Sequence, residues 1–239
     1  MAAADAGGGD QLPHLLRRYA ERALPADVAV PGQVRITQQG EMWQKPGARA
    51  MGFTATQFFA VDRIGFSWQA CFPVLGPLGL RVVDDYADGD GVLEVRLLGL
   101  PLQRQRGPET TAGEALRYLA ELPFVPHAIA HNRELEWREL DERKAEVAAQ
   151  IGGERLSVEF EFNTDGDIVR SFSRLRRRKV GSDWLPTAWG GRFSDYELLS
   201  DTRLPTSGEA YWDLPEGRFV YWRGTVLSAQ LLDEPFRRR

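Results

Sequence analysis

The sequence predicts a mainly β (α+β) fold, a single curved antiparallel sheet or incomplete barrel of about 9–11 strands wrapped against an N-terminal helix and a kinked central helix. Three observations predict it. Apolar and polar residues alternate over most of the chain, as they do in half-buried strands. Helical spacing appears in only two or three segments. The regular alternation of strands with helices that is typical of a parallel sheet is absent. Short turns rich in Gly, Pro and Asp separate the strand segments.

The first helix is expected over Leu12 to Leu24, where apolar residues such as Leu16 and Tyr19 recur at three- and four-residue spacing. Pro25 ends this segment. We predict that residues 1–11 form a flexible N-terminus, residues 12–232 a single β-rich domain and residues 233–239 a basic tail.

Strand patterns follow on both sides of the central helix, and Leu156 to Phe162 shows the clearest alternation of apolar and polar residues. Asp88 to Gly91 separates two strand patterns, and its residues tolerate the positive φ of a hairpin turn. The other predicted strands are Val34 to Trp43, Gly52 to Phe59, Arg63 to Phe72, Leu80 to Tyr86, Val92 to Leu98, a return to strands from Leu135, Ile168 to Arg176, Arg192 to Leu199, Glu209 to Leu214 and Arg218 to Leu231.

The central helix is expected over Gly113 to Asn132, where it covers one face of the sheet. Thr111 or the preceding threonine can cap it, with Glu114 three residues after Thr111 as in a capping box. Pro123 and Pro126 interrupt the segment, so a kink or two short helices are expected. Such a bend can leave a hollow between helix and sheet.

Composition excludes several classes of protein. The net charge of -4 argues against a nucleic-acid-binding surface. A single cysteine, Cys71, excludes an intramolecular disulfide, and its apolar surroundings predict a buried thiol. The first residues do not form a signal peptide, and no window approaches the ~20 apolar residues of a membrane span, so a cytoplasmic location is predicted. The oligomeric state is left open.

Charged residues of the central helix are the candidates for chemistry. Arg117 and Glu121 are one helical turn apart, with Tyr118 beside them. Glu121 is a candidate acid or base, and Arg117 a candidate to orient it or a substrate carboxylate. The alternative is an ordinary ion pair, on the surface or buried against the sheet. His127 and His131 are also one turn apart, with Glu134 three residues further on, and these three side chains could share one face and bind a divalent metal. The glutamate of a zinc protease is missing between the histidines, and the alternative is an exposed helix end with polar residues, so no metal site is predicted.

Aromatic residues of the C-terminal strands are the candidates for ligand binding. Side chains alternate along a strand, so about half of these rings can point inward and line an apolar cavity. Plain packing in the core is the alternative. With Arg117, the predicted ligand-binding residues are Trp189, Tyr196, Trp212, Tyr221 and Trp222.

Several segments resemble a family of uncharacterised bacterial proteins: RYLAELPFVPHAI, GEMW, DDYADGDG, WGGRFSDY and GEAYWDLPEGRFVYWRG. The resemblance covers the chain from about Leu12 to Leu231 and implies no assigned activity. More distantly, the order of elements is similar to the outer-membrane lipoprotein carrier fold. That likeness implies an antiparallel half-barrel that wraps helices and holds acyl chains in its hollow.

These observations predict binding of a hydrophobic or amphipathic small molecule between helix and sheet. The alternative is a cavity enzyme, a cyclase or isomerase of a biosynthetic pathway, with Glu121, His127 and Tyr118 as candidate catalytic residues. A partner-binding module is a third reading and would place an apolar patch outside the fold. No G-x-S-x-G elbow, P-loop or G-x-G-x-x-G motif is present, and no cofactor is predicted.

Overall fold

The computed structural model describes residues 12–26, 29–75 and 78–238. The predicted flexible N-terminus, residues 1–11, lies outside the described residues. Within these ranges the sheet contains thirteen strands. They are β1 (Gln33–Met42), β2 (Met51–Ala60), β3 (Phe66–Leu75), β4 (Leu78–Ala87), β5 (Asp90–Leu97), β6 (Leu100–Gln105), β7 (Glu136–Asp141), β8 (Lys144–Ile151), β9 (Glu154–Phe162), β10 (Ile168–Val180), β11 (Asp183–Leu199), β12 (Thr202–Leu214) and β13 (Gly217–Leu232).

Two antiparallel meanders make up this sheet, β1 to β6 and β7 to β13. They join where β1 pairs with β13, with Val34 opposite Leu231. The sheet edges are therefore β6 and β7, which are consecutive strands along the chain. The segment between them must pass from one edge of the curled sheet to the other, and it carries the central helices.

The predicted kink is confirmed: the central segment contains α2 (Pro108–Ala120), a 3-10 helix (Leu122–Phe124) and α3 (Pro126–His131). The predicted start was wrong, because α2 begins at Pro108 after a glycine and has no side-chain cap. Proline suits the first helical position, where its missing N–H has no intrahelical acceptor. The hydroxyl of Thr111 instead accepts a hydrogen bond from the backbone N–H of Gly91, at 3.1 Å.

The N-terminal helix α1 (His14–Ala23) is also confirmed, and it packs against α3 and β12. The fold class is that predicted, a mainly β antiparallel half-barrel with few helices. The predicted strand count of 9–11 was too low. The edge strand β6 was missed because most of its side chains are exposed, so it lacks the alternation of apolar and polar residues that marks a half-buried strand.

The core lies between the concave face of the sheet and the helices. On β2, Phe53 and Phe59 face this core, whereas Phe58 joins a small second cluster that contains Phe236 of the predicted basic tail. The prediction for Cys71 was wrong: the thiol is exposed, between the buried Ala70 and Phe72 of β3. Alternation along the strand turns it outward.

In the part of the chain that the structure describes, no helix is both long and apolar enough to cross a membrane. The cytoplasmic location stays a prediction from the sequence.

Candidate functional site

A cavity of about 260 Å³ lies between α2 and the concave face of the sheet. Charged groups come from α2 and the residue that follows it, from β4, β10 and β12, and aromatic rings come mainly from β11, β12 and β13. The aromatic residues that line it are Trp68, Phe124, Trp189, Phe193, Trp212, Tyr221 and Trp222. The cavity therefore has a charged side and an apolar side.

Arg117 is the centre of the charged side. Its Nε donates to Oε1 of Glu121 at 2.8 Å, and its Nη1 donates to Asp84 of β4. The guanidinium also lies over two rings of β3, 5.2 Å from the centroid of Phe66 and 4.8 Å from that of Trp68. This arrangement is a buried ion network that joins helix to sheet, the structural alternative considered for the Arg117–Glu121 pair.

Glu114 lies on the same face of α2, one turn before Arg117, and also lines the cavity. Burial, followed by the nearby charge of Asp84, raises the pKa of the Glu114 carboxyl to about 8. Burial likewise raises the pKa of Asp84, although Arg117 opposes the shift. From the sequence, Glu114 was assigned to a capping box, which α2 lacks, and was missed as a site residue. Its spacing of three and seven residues from Arg117 and Glu121 places all three on one helix face.

Arg176 enters the cavity from β10, opposite α2. Its guanidinium carbon lies 4.0 Å from the ring centroid of Trp189 and 5.6 Å from that of Trp212. Among the described residues, the Arg176 side chain has no hydrogen bond or ion pair, although its charge acts to lower the pKa of both Asp84 and Glu114. Sequence reasoning missed it because it lies within a basic run that is typical of a solvated strand face.

The aromatic side is held by contacts among its own rings. Nε1 of Trp189 donates to the hydroxyl of Tyr221 at 3.0 Å, and Trp212 stacks on Tyr221 with centroids 6.2 Å apart. Trp222 stacks on Phe53 of β2 at 6.0 Å. These contacts hold the rings in fixed positions around the cavity.

Three glycines in register across neighbouring strands make room for these rings; we call Gly40, Gly224 and Gly208 the glycine row. A Cβ added at Gly224 would lie 2.5 Å from the ring of Trp222. At Gly208 it would lie 3.0 Å from Cζ of Phe124. The row therefore lets large rings lie close against the sheet, where any side chain would displace them.

The structure brings most of the predicted site residues to one place. Glu121 and the ligand-binding candidates Arg117, Trp189, Trp212, Tyr221 and Trp222 all line the cavity. The exception among the ligand-binding candidates is Tyr196, which is not among the lining residues and donates its hydroxyl to the carbonyl of Ile168 at 2.7 Å.

The two other candidate catalytic residues are also absent from the lining of the cavity. The hydroxyl of Tyr118 donates to the carbonyl of Ala60 at 3.0 Å and accepts from Nδ2 of Asn132 at 2.9 Å. His127 is buried, and neither ring nitrogen has a hydrogen-bond partner among the described residues. Burial lowers the pKa of His127 to about 4. Their catalytic roles stay predictions.

No three histidine, cysteine, aspartate or glutamate side chains within the described ranges form a group that could hold a metal ion. Glu134, which follows the two helical histidines, accepts a hydrogen bond from the backbone N–H of Ile64 at 2.8 Å instead.

A wider, charged groove of about 920 Å³ lies next to the cavity. Its charges are largely paired with one another. Arg170 lies 3.5 Å from Glu161, while Arg192 and Arg223 lie 3.7 and 3.5 Å from Glu209. The groove therefore offers fewer unmatched groups to a ligand than the cavity does.

The sequence profile of a family of unknown function, DUF6544, matches residues 4–224. The predicted resemblance to a family without an assigned activity is confirmed. Among curated proteins, none matches the sequence.

Several solved structures are similar to this chain. A LolA superfamily protein from Nitrosomonas europaea is 12% identical, with a TM-score of 0.49 over 92% of this chain and 93% of that one. A putative outer membrane lipoprotein-sorting protein domain from Vibrio parahaemolyticus is 10% identical, with a TM-score of 0.41 over 90% of each chain. A DUF1329 family protein from Desulfovibrio piger is 10% identical, with a TM-score of 0.42 over 91% of this chain and 90% of that one. At these scores the likenesses carry no argument about function.

Proposed function

Because the chain belongs to DUF6544, a family of unknown function, we propose its function from the cavity: it binds a small hydrophobic or amphipathic molecule between α2 and the curved sheet. The observation that carries this proposal is a cavity with aromatic rings on one side and charged groups on the other. Ligand sites are typically lined by apolar and aromatic side chains with a few placed polar groups.

Unpartnered polar atoms give the second argument. Of the described residues, four that line the cavity have a buried side-chain polar atom without a hydrogen-bond partner: Asp84, Glu114, Ser171 and Trp222. Buried polar atoms are nearly always hydrogen-bonded in folded proteins, because leaving one unpaired costs about 1–3 kcal/mol. A ligand with polar atoms at one end would satisfy these groups, and its apolar part would contact the rings.

The volume limits the size of the ligand. At about 260 Å³ the cavity lies just below the ~300–1,000 Å³ of common small-molecule sites. It suits one fused ring system or a short chain better than a lipid with several long acyl chains.

The test uses an uncharged ring probe, 2-naphthamide, with binding followed by quenching of tryptophan fluorescence. Ala210 lines the cavity, so Ala210→Phe should fill it and weaken binding by more than about tenfold. Ala188 is half-buried on the neighbouring strand and is not among the lining residues, so Ala188→Phe is the matched control and should bind as the wild type does. Thermal melting checks that both variants fold.

Two outcomes would contradict the proposal. One is failure of the wild type to bind any ring compound of this size. The other is unchanged binding by a folded Ala210→Phe variant, which would place the probe outside the cavity.

The alternative function is a cavity enzyme, a cyclase or isomerase of a small-molecule biosynthetic pathway. Glu114 supports this alternative, because a buried carboxyl with a pKa of about 8 faces the cavity and can donate or accept a proton near neutral pH. Of the sequence candidates, Glu121 also lines the cavity. A ligand that co-purifies with the chain should then exchange a carbon-bound hydrogen in D2O, as measured by mass spectrometry. Glu114→Gln or Glu121→Gln should abolish the exchange while binding persists; a ligand that acquires no deuterium from the wild type removes this alternative.

A further inference from the structure

Resting on the proposed binding function, we propose that the ligand carries a carboxylate on a compact apolar body, and that Arg176 is the residue that receives this carboxylate. The sequence pointed to Arg117 for such a role. The geometry points instead to the arginine on the opposite wall.

Arg117 has its hydrogen bonds within the protein. It bonds to Glu121 and Asp84 and lies over two aromatic rings, so binding a further anion would require breaking an existing ion pair. Arg176 also lies over two aromatic rings, but it differs from Arg117 in its hydrogen bonds. It has no acceptor among the described residues, and it lines the same cavity.

The rings beside Arg176 hold its guanidinium without using its hydrogen-bond donors. The guanidinium carbon lies 4.0 Å over the ring of Trp189, and this aromatic contact leaves the N–H groups without a hydrogen-bond acceptor among the described residues. A planar guanidinium with a free edge matches the two oxygens of a carboxylate. Because Trp189 is itself hydrogen-bonded to Tyr221, this platform is fixed in place.

The other unpartnered atoms of the cavity agree with an acceptor-rich ligand. Nε1 of Trp222 can only donate a hydrogen bond, and the hydroxyl of Ser171 can donate one. Oδ1 of Asp84 accepts a hydrogen bond when this carboxyl is ionised. A protonated Glu114 adds a further donor and no negative charge, so it would not repel a carboxylate. Among these four unpartnered atoms, donors therefore outnumber acceptors when Glu114 is protonated.

Three probes of nearly equal shape separate the possible ligand classes: 2-naphthoate is an anion, 2-naphthamide is neutral, and 2-naphthylmethylammonium is a cation. Calorimetric titration of the wild type should give a dissociation constant for 2-naphthoate about tenfold or more below that of the amide. The cation should bind more weakly than the amide.

Variants of Arg176 test the assignment. Arg176→Gln should weaken binding of 2-naphthoate by about tenfold or more and leave binding of the amide within about twofold. Arg176→Lys keeps the charge but loses the planar guanidinium, so its affinity for 2-naphthoate should lie between those of the wild type and Arg176→Gln. Arg174→Gln is the matched control, because Arg174 is an exposed arginine of the same strand that pairs with Glu159, and it should change neither affinity. Near-ultraviolet circular dichroism checks that the aromatic packing is intact.

The outcomes distinguish the two proposals. If the amide binds as tightly as 2-naphthoate and Arg176→Gln changes neither, the binding function stands and the carboxylate assignment is overturned. If the cation binds most tightly, the buried carboxylates recognise the ligand and the assignment is equally overturned. If no probe binds to the wild type, the proposed binding function fails, and the assignment fails with it.

Discussion

Gln57 and Glu121 lie 64 positions apart in the chain, yet Nε2 of Gln57 donates a hydrogen bond to Oε2 of Glu121 at 2.5 Å. The bond joins β2 to the C-terminal end of α2. The other oxygen of Glu121 accepts from Arg117, which also bonds to Asp84 on β4. The position of α2 relative to the sheet is therefore set by polar contacts to two strands as well as by apolar packing.

Loss of the Arg117 guanidinium should destabilise the whole fold. Arg117→Met leaves Asp84 and Glu121 without their shared cation at positions where the three side chains are only 12–21% exposed. Removing one partner of a buried ion pair costs about 3–5 kcal/mol, because the remaining charge stays buried. Urea unfolding at neutral pH measures the loss.

Arg174→Met is the control for this experiment, because the side chain of Arg174 is 74% exposed in its pair with Glu159. An exposed pair contributes about 0–1 kcal/mol, so this variant should unfold nearly as the wild type does. Equal unfolding free energies for the two variants would show that the Arg117 network does not hold α2 in place.

Glu114 should make the stability fall as the pH rises. Its folded-state pKa of about 8 is above its ordinary value of 4.5, so the folded chain holds this proton more tightly than the unfolded chain does. Its stabilising contribution is full below about pH 4.5 and is lost as the pH rises to about 8. Wild type should lose up to about 1.4 kcal/mol per pH unit relative to Glu114→Gln in this window.

Urea unfolding of both proteins at several pH values from 5 to about 8.5 tests this prediction. Asp84, Arg117, Glu121 and Arg176 surround Glu114 and are present in both proteins, so most of their own effect cancels in the comparison. Parallel pH profiles for wild type and variant would contradict a raised pKa at Glu114.

His127 should make the stability of the fold decrease as the pH falls, the opposite of the effect of Glu114. Burial lowers its pKa from 6.5 to about 4, so the unfolded chain takes up a proton before the folded chain does. Its contribution is full above pH 6.5 and is lost as the pH falls to about 4. His127→Leu should therefore be less sensitive to acid across this window, as thermal melts at stepped pH values would show. An unchanged acid profile would mean that His127 is not buried in its neutral form.

Gly40 should tolerate no side chain, because of its place in the glycine row. A Cβ there would lie 2.0 Å from the backbone oxygen of Arg223 and 2.8 Å from Cζ of Phe53. Gly40→Ala should cost about 1–3 kcal/mol or more, since backbone cannot move away as a flexible side chain can. Gly52→Ala on the neighbouring strand is the control, because its Cβ would meet nothing closer than 3.9 Å. Equal chemical-denaturation midpoints for the two variants would contradict this account of the row.

The sequence predicted the fold class because alternation in strands such as β9 follows directly from burial of one face. It did not predict β6, where both faces are largely exposed, or the true start of α2, where a proline replaces a side-chain cap. Arg117 and Glu121 were predictable from helical spacing. Arg176 was not, because only the three-dimensional course of β10 brings it opposite α2.

The pairing of β1 with β13 has a consequence for how the chain is made. Gln33 lies opposite Leu232, so the middle of the sheet is closed by strands from the two ends of the domain. During synthesis, β1 leaves the ribosome long before its partner exists, and one of its edges stays unpaired until β13 emerges. Contacts between residues so distant in sequence form slowly, because a long loop must close before they stabilise the fold. A chain arrested before β13 would present this open edge to other chains, and aggregation of such fragments is the expected hazard.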